Sequence, residues 1–242
     1  MGLTLVDGIR EIRSALKASV EIAECFLCPQ LIRNAEGKDL LRLLKQQDFS
    51  ISEVTPEIFA KISFGDRQEG ILVVAQIPPS NLDSLPLQAE PLLIVVEHLE
   101  KPGNLGAILR TADTAGVGAV LVCDPATDIF NPNVIRASLG AVFAVPCAVC
   151  SNQEAWNFLK KRGIRILAST PAATTLYTQV RMTRPVAIVL GSEESGLSSF
   201  WEKLADEKIK IPMAGQVNSL NVSAAAAILV YEALRQRIAG SG

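Results

Sequence analysis

Histidine is almost missing from this 242-residue chain, and His98 is its only imidazole. That removes histidine-based zinc sites and leaves a Ser-His-Asp triad a poor candidate for any chemistry the protein performs. No apolar run approaches the roughly 20 residues that a membrane-spanning helix needs. The opening stretch MGLTLVDGIREIRSALK lacks the apolar core and small-residue cleavage site of a signal peptide, so a soluble, cytoplasmic protein with no membrane partner is expected. Two nucleotide-binding signatures are missing as well. No G-x-G-x-x-G follows the first strand of the second half, where GVG at 116–118 precedes a strand instead, and no G-x-x-x-x-G-K-[ST] occurs. Nor is positive charge in excess: 23 Lys and Arg against 25 Asp and Glu leave a net charge of −2. Dividing the chain near residue 88 leaves neither half strongly basic. A polyanionic partner would need a local cationic patch, which composition cannot locate.

Cysteine is present in a pattern that invites a metal. Cys25–Cys28 and Cys147–Cys150 both read C-x-x-C, a chelating spacing. Yet about 120 residues separate the pairs, and both lie in apolar strand-like runs, AECFLC and FAVPCAVC, rather than in turns. Buried core thiols, with no metal, are the expectation.

A proline-rich stretch from Ile77 to Pro91, IPPSNLDSLPLQAEP, has no convincing periodicity and divides the chain. This suggests domains at 1–78 and 91–242, joined by a linker at 79–90. Before the linker, helical spacing over Asp7–Lys17, Asp39–Gln46 and Pro56–Ile62 alternates with strand-like runs at Ala23–Cys28, Phe49–Val54 and Ile71–Ile77. That describes a small α/β domain. After the linker, strands are expected at Leu92–Val96, Ala119–Cys123, Ala144–Val149, Arg165–Ala168, Val186–Leu190 and Lys208–Ile211. Helices are expected between them at about 104–115, 132–139, 152–162 and 199–205, with a last one over about 219–237. Continuous apolar strands alternating with helices imply a mostly parallel sheet covered on both faces. Such sheets bind ligands beyond the carboxyl ends of their strands.

Three strand-ending loops carry the chemistry-bearing residues. In KPGNLGAILRTADTAGVG, Lys101 to Gly118, Asn104 is placed to cap a helix whose core stripe is Leu105, Ile108, Leu109 and Ala112. Gly116 is a natural terminator of that helix. Arg110 falls opposite the stripe, either as a solvated side chain or as a phosphate contact at the ligand edge. In VLGSEESGLSSFWEKL, Gly191 and Gly196 bracket a polar turn in which Glu193 and Glu194 have no evident structural task. Ser199 and Glu202 fit a capping box there. The third loop, IPMAGQVNSLNVSAAAAILVYE from Ile211 to Glu232, runs into a helix that is apolar on nearly every face from Val222 to Val230. Asn218, Ser219, Asn221 and Ser223 crowd its first turn, so this turn is expected to be buried and either internally hydrogen-bonded or built to grip a ligand. Glycines spread over three strand ends point to a ligand held by three loops.

Together NLGAILRTADTAGV, LGSEESGLS and IPMAGQVNSLNVSAAAAILVYEALR resemble, in order and spacing, the three signature motifs of the SpoU (TrmH-like) methyltransferases of the SPOUT superfamily. The motifs span most of residues 92–237, and RQEGILVVAQIP closes a first domain similar to the ribosomal-protein-like RNA-binding domain of rRNA-modifying members. The resemblance implies a trefoil knot, S-adenosylmethionine as methyl donor, a ribose 2′-hydroxyl of structured RNA as acceptor, and an obligate homodimer with the site near the subunit interface. Asn104 and Arg110 match the first motif's asparagine and catalytic arginine, Glu193 with Gly191 and Gly196 the second motif, and Ser219 and Asn221 the polar pair of the third. The cofactor would be held around Leu190, Gly191, Glu193, Gly196, Ile211, Met213, Ser219 and Leu220. Lys101 departs from the aspartate that many members carry before the proline.

A ribose hydroxyl is a weak nucleophile at neutral pH, so positioning and assisted deprotonation must supply the rate. A guanidinium stays protonated, so Arg110 is better suited to hold the target phosphate and orient the hydroxyl than to act as base. Ser219 and Asn221 would position the hydroxyl and brace the loop, with Glu193 orienting Asn104 or the RNA. Large-subunit rRNA is expected before tRNA because of the extra domain. A catalytically silent RNA-binding relative and an enzyme acting on a small nucleotide are the rival readings.

Overall fold

The computed structural model describes residues 2–64, 68–192 and 194–240. Its first elements are β1 (Leu3–Asp7), α1 (Ile9–Lys17), β2 (Ile22–Leu27), α2 (Ala35–Leu44), β3 (Ser50–Glu53), α3 (Pro56–Ile62) and β4 (Ile71–Gln76). Then come β5 (Leu92–Glu97), α4 (Pro102–Thr114), β6 (Ala119–Cys123), α5 (Pro132–Ala137), α6 (Ala141–Ala144), β7 (Cys147–Cys150), α7 (Asn152–Lys161), β8 (Arg165–Ser169) and β9 (Thr175–Leu176). The chain finishes with β10 (Val186–Leu190), α8 (Ser199–Leu204), β11 (Glu207–Lys210) and α9 (Val222–Ala239). Two compact units result, one of Met1–Pro78 with Ile129–Ala144, the other of Pro79–Asp128 with Val145–Gly242.

In the first unit a four-stranded sheet has the order β1-β4-β2-β3. The central β4 is antiparallel to β1 and β2, while β2 and β3 run parallel. Ile9, Ile12 and Ala15 of α1, and Leu40 and Leu44 of α2, are buried at helical spacing, and the two helices pack against each other. Phe59 of α3 packs with Cys28 and Leu72 in a separate cluster. Segment 129–144 completes this unit, and nothing in its local pattern announces that. Thr4 Oγ1 donates to the carbonyl of Phe130 at 2.7 Å, and Ser14 Oγ donates to that of Gly140 at 2.7 Å. Gly140 has φ +80°, and a Cβ there would stand 2.7 Å from Ser14 Cβ, so only glycine fits.

The strand expected over Ala144–Val149 needs correction. Residues 141–144 are helical and β7 begins only at Cys147. Pro146 supplies the reason: it disfavours helix in the residue before it and cannot donate to a ladder, so helix ends and strand starts around it. A short apolar run cannot by itself distinguish the two states.

In the second unit a seven-stranded sheet has the order β7-β6-β5-β10-β8-β11-β9, and every pairing is parallel. β6 and β10 are buried along their whole length, as continuous apolar runs in a two-sided sheet should be. From β5 the chain moves through β6 to β7 at one edge, then returns to build β8 and β10 on the other side of β5. Neighbouring β5 and β10 therefore flank a topological switch point, where ligands of such sheets bind. Leu93, Val95, Leu121, Ile166 and Val189 form the core with Phe158, Leu159 and the fully buried Trp201. Leu82, Leu85 and Leu87 of the proline-rich stretch pack against this core.

α9 departs from the all-round burial expected of it. It buries Val222, Ala226, Leu229, Val230 and Ala233 as one stripe and packs against α4. Its opposite side carries exposed Ala224, Tyr231 and Ile238, seven residues apart. All five cysteines are free thiols; Cys25, Cys28, Cys123 and Cys147 are buried, and Cys150 is half-buried. Burial pushes the thiols of Cys25 and Cys147 up to about 12, which suits packing and not nucleophilic work. No helix among the described residues is long and apolar enough to cross a membrane.

Candidate active site

The four central carboxyl ends of the second sheet, those of β5, β10, β8 and β11, open onto one cavity of about 520 Å³. Its volume lies within the roughly 300–1,000 Å³ usual for small-molecule sites. The first wall comes from α4. Asn104 does not cap this helix as expected, because Pro102 starts the helix one turn earlier and Lys101 is the N-cap residue without a side-chain bond. Freed from that task, Asn104 lines the cavity, and its Oδ1 accepts from Nδ2 of Asn221 at 3.0 Å.

Asn221 is the residue that caps. Its Oδ1 accepts from the backbone N–H of Ser223 at 3.0 Å and of Ala224 at 3.4 Å, and from Ser223 Oγ at 2.6 Å. Those donors fix the amide with its oxygen over the first turn of α9 and its NH2 toward Asn104. The first and third loops are thereby tied together. The polar turn from Asn218 to Asn221 is exposed rather than buried, with Val217 at 72% and Leu220 at 41% exposure. The loop forms one side of the cavity, and only from Val222 does the chain enter the core.

The second wall is the loop after β10. Ser192 N–H donates to the carbonyl of Gly196 at 3.0 Å, and Gly196 N–H to that of Ser192 at 3.2 Å. A Cβ on Gly191 would fall 2.1 Å from the carbonyl carbon of Gly196, so the two strands of the turn meet only because residue 191 has no side chain. Gly196 adopts φ +68°, the left-handed region. Ser195 N–H donates to Ser192 Oγ at 3.1 Å and closes the turn. Glu193, expected in both the catalytic and cofactor sets, lies outside the described residues. The capping box expected from Ser199 and Glu202 is not formed: Ser198 is the N-cap residue and makes no side-chain capping bond. Its own N–H donates instead to Oε2 of Glu97 at 2.8 Å.

Of the residues expected to act, Asn104, Leu190, Gly191, Gly196, Ile211, Met213, Ser219, Leu220 and Asn221 all line this cavity. Arg110 does not. It is exposed on α4, six residues beyond Asn104, or about 9 Å along the helix axis. Sequence reasoning missed Ser169, the last residue of β8, and the Thr170–Pro171 turn after it, which also line the cavity. Thr170 is buried there, and its N–H donates to the carbonyl of Ile209 at 2.9 Å. Its signal was available: any loop at a strand's carboxyl end near the switch point is a candidate. A second, more open depression of about 510 Å³ adjoins at Ile211 and Met213 and is faced by Asn218. Apolar Leu190, Ile211, Met213 and Leu220 beside hydroxyls and amides suit a ligand with a flat apolar part and polar groups.

Comparison with known proteins agrees with this geometry. A family model described as the SpoU rRNA Methylase family matches residues 91–231, and one for the MRM3-like substrate binding domain matches residues 1–73. The chain is 32% identical over 248 aligned residues to the 23S rRNA (guanosine-2'-O-)-methyltransferase RlmB of Vibrio parahaemolyticus, covering 99% of each chain. It is 29% identical over 248 residues to the 23S rRNA (uridine(2479)-2'-O)-methyltransferase of Streptomyces viridochromogenes, covering 99% of this chain and 85% of that one. A solved RNA 2'-O ribose methyltransferase matches with a TM-score of 0.86 at 38% identity, covering 98% of this chain and 89% of the other. The SpoU methyltransferase AviRb from Streptomyces viridochromogenes, in complex with AdoMet, matches with a TM-score of 0.89 at 27% identity, covering 99% and 92%.

Proposed function

This chain belongs to the SpoU rRNA methylase family and is an S-adenosylmethionine-dependent RNA ribose 2′-O-methyltransferase, and we propose that its substrate is 23S ribosomal RNA. The observation that carries the proposal is the extent of the likeness. Relatives named for 23S rRNA match over both units, not over the catalytic unit alone. Residues 1–78 are assigned as the RNA-binding domain, 79–90 as the linker and 91–242 as the catalytic domain, except that 129–144 packs within the first unit and the linker segment within the second.

A cationic surface in the first unit supports this assignment, although the chain's net charge is negative. Arg10, Arg13 and Lys17 of α1 are spaced to share one face of the helix, and so are Lys38 and Arg42 of α2 with Lys45, the residue that ends it. All but the half-buried Arg13 are exposed, and the two helices are packed neighbours. Arg42 is also paired with Asp39 at 3.0 Å, and the other exposed cations suit a phosphate backbone and carry no sequence information by themselves.

The cavity's residues fit the cofactor: its volume and apolar walls suit a nucleoside, and Gly191 keeps a side chain out of the loop that lines it. Bound there, S-adenosylmethionine supplies an electrophilic sulfonium methyl. Leu190, Gly191, Gly196, Ile211, Met213, Ser219 and Leu220, with Glu193, are the residues assigned to hold it. Arg110 stands outside the cavity on the exposed side of α4, which suits a contact to the target phosphate and not proton abstraction within. Asn221, its amide fixed by α9, and Ser219 position the ribose hydroxyl. Asn104 braces Asn221, and Glu193 orients Asn104 or the RNA.

A trefoil knot at the loops after β10 and β11 and a homodimer complete the reading. The exposed row Ala224, Tyr231 and Ile238 on α9 supports the dimer, and a monomer mass at micromolar concentration in light scattering would reject it. An rRNA-modifying enzyme works where ribosomes are assembled, so a cytoplasmic location follows. The target is tested by transfer of labelled methyl to 23S rRNA and to tRNA, with 2′-O-methyl mapping in cells with and without the protein. Label confined to tRNA would overturn the rRNA assignment and leave the reaction standing.

A further inference from the structure

β5 ends on a carboxylate that is only 3% exposed, that of Glu97. Its Oε1 accepts from Nδ2 of Asn152 at 2.6 Å, and its Oε2 accepts from the backbone N–H of Ser198 at 2.8 Å. Asn152 Oδ1 in turn accepts from the indole Nε1–H of Trp201 at 2.6 Å. Two of these donors cannot change role, since an indole N–H and a peptide N–H only donate. Trp201 therefore fixes the Asn152 amide with its oxygen toward the indole and its NH2 toward Glu97. Donors then arrive at both ends of the side chain at position 97. A carboxylate accepts at both ends; a carboxamide cannot.

The bond to Ser198 gives this chain of polar groups a connection to the cavity. Ser198 follows Leu197, which lines the cavity, and ends the loop that Gly191 begins. One end of that loop is held by β10, the neighbour of β5, and Ser192 is paired with Gly196 across it. Glu97 holds the other end. We propose that Glu97 is a positioning residue for methyl transfer: acting through Ser198, it fixes Gly196 and Leu197 at the cavity wall and so sets the affinity of the cavity for S-adenosylmethionine, without touching the RNA or the reacting atoms. This rests on the reading of the cavity as the cofactor site.

The test is a polarity swap. In Glu97→Gln one N–H must face either Ser198 N–H or the Asn152 NH2, so a donor meets a donor. The expected result is a KM for S-adenosylmethionine raised roughly tenfold or more, with kcat at saturation and the KM for RNA close to wild type. In Glu97→Gln with Asn152→Asp the charge moves to position 152 and every donor regains an acceptor. Trp201 and the carboxamide at position 97 both donate to the new carboxylate, and Ser198 donates to the carboxamide oxygen. The double variant is expected to recover most of the lost cofactor affinity, whereas Asn152→Asp alone is expected to lose at least as much as Glu97→Gln. Calorimetric titration of S-adenosylmethionine into each full-length protein reads the effect directly. An unchanged affinity in Glu97→Gln, or a double variant as impaired as the single one, overturns the proposal even if the single variant folds poorly. A wild-type protein that binds no S-adenosylmethionine overturns the cofactor reading itself.

Discussion

Each unit begins with a strand that ends on a buried carboxylate, Asp7 in the first and Glu97 in the second, and the two are accommodated in opposite ways. Asp7 Oδ2 accepts from the N–H of Phe64 at 2.7 Å and lies 3.7 Å from the Arg136 guanidinium, but Oδ1 has no partner among the described residues. Desolvation by burial pushes this acid up to about 6, and the nearby Glu69 and Glu11 add to the rise, while the Phe64 bond and Arg136 oppose it. Glu97 takes a directed donor on each oxygen from groups whose roles cannot be exchanged. Burial is thus no guide to what a carboxylate does; the number and direction of its donors are. In the second unit those donors lead to the cavity wall. In the first, Asp7 is an under-satisfied charge in the half of the molecule read as an RNA grip.

The contrast between a catalytic unit and a gripping unit would be broken most sharply at Arg110. Arg110→Ala is expected to cut single-turnover methyl transfer roughly a hundredfold or more while S-adenosylmethionine still binds. Near-normal rates would leave the cavity to do the chemistry alone. Next in size is Gly191→Ala. The new Cβ would meet the backbone of Gly196 at 2.1 Å, so the loop must open. Cofactor affinity should drop by about twentyfold, and an unaltered binding isotherm would mean the turn has another conformation of equal quality.

Reversing Lys38, Arg42 and Lys45 to glutamate addresses the first unit only. RNA affinity should weaken by about tenfold, and the slope of log affinity against log salt should shrink by about one for each lost phosphate contact. The KM for the cofactor should not move, and a change there with RNA binding intact would show that the two roles are not separated as proposed.

Asp7→Asn is the smallest effect and opposite in sign to Glu97→Gln. Because the folded-state pKa of Asp7 is raised, its stabilising contribution is full below about pH 4 and is lost as pH rises through about 6. A rise to about 6 would correspond to about 3 kcal/mol, but the variant also deprives Arg136 of its partner, so a gain of about 1 kcal/mol at pH 7 is expected. Urea unfolding at pH 4 should hardly separate the two proteins, and the gap should open between pH 4 and 6. A variant less stable than wild type at pH 7 would show that Asp7 is held by its ion pair after all.

Much of the second unit is legible locally. The stripe Leu105, Ile108, Leu109 and Ala112 is buried as its period requires, and Gly116 ends α4 with φ +66°. The loops around Gly191 and Ser219 do line one cavity. Two of the departures share a cause: each concerns which partner a polar group chooses. Asparagine before an apolar stripe usually caps, which makes Asn104 the expected cap, but Pro102 has already begun the helix. Ser199 and Glu202 have the spacing of a capping box, yet the box forms at Ser151 and Glu154, while Ser198 is drawn to Glu97.

Local sequence dictates the period of each helix and strand, the glycines where backbone must come close, and the three strand ends where polar residues gather. These depend on residues within a few positions of one another. The assembled fold was needed to bring Asn221 to Asn104, 117 residues away, and Ser198 to Glu97, 101 residues away, and to add Ser169–Pro171 to the same cavity. It was needed, too, to assign 129–144 to the first unit. The pairings around the cavity follow from β10 lying between β5 and β8. Strand order is set by how crossovers bury the two faces of the whole sheet, a cooperative outcome that no local window of residues contains.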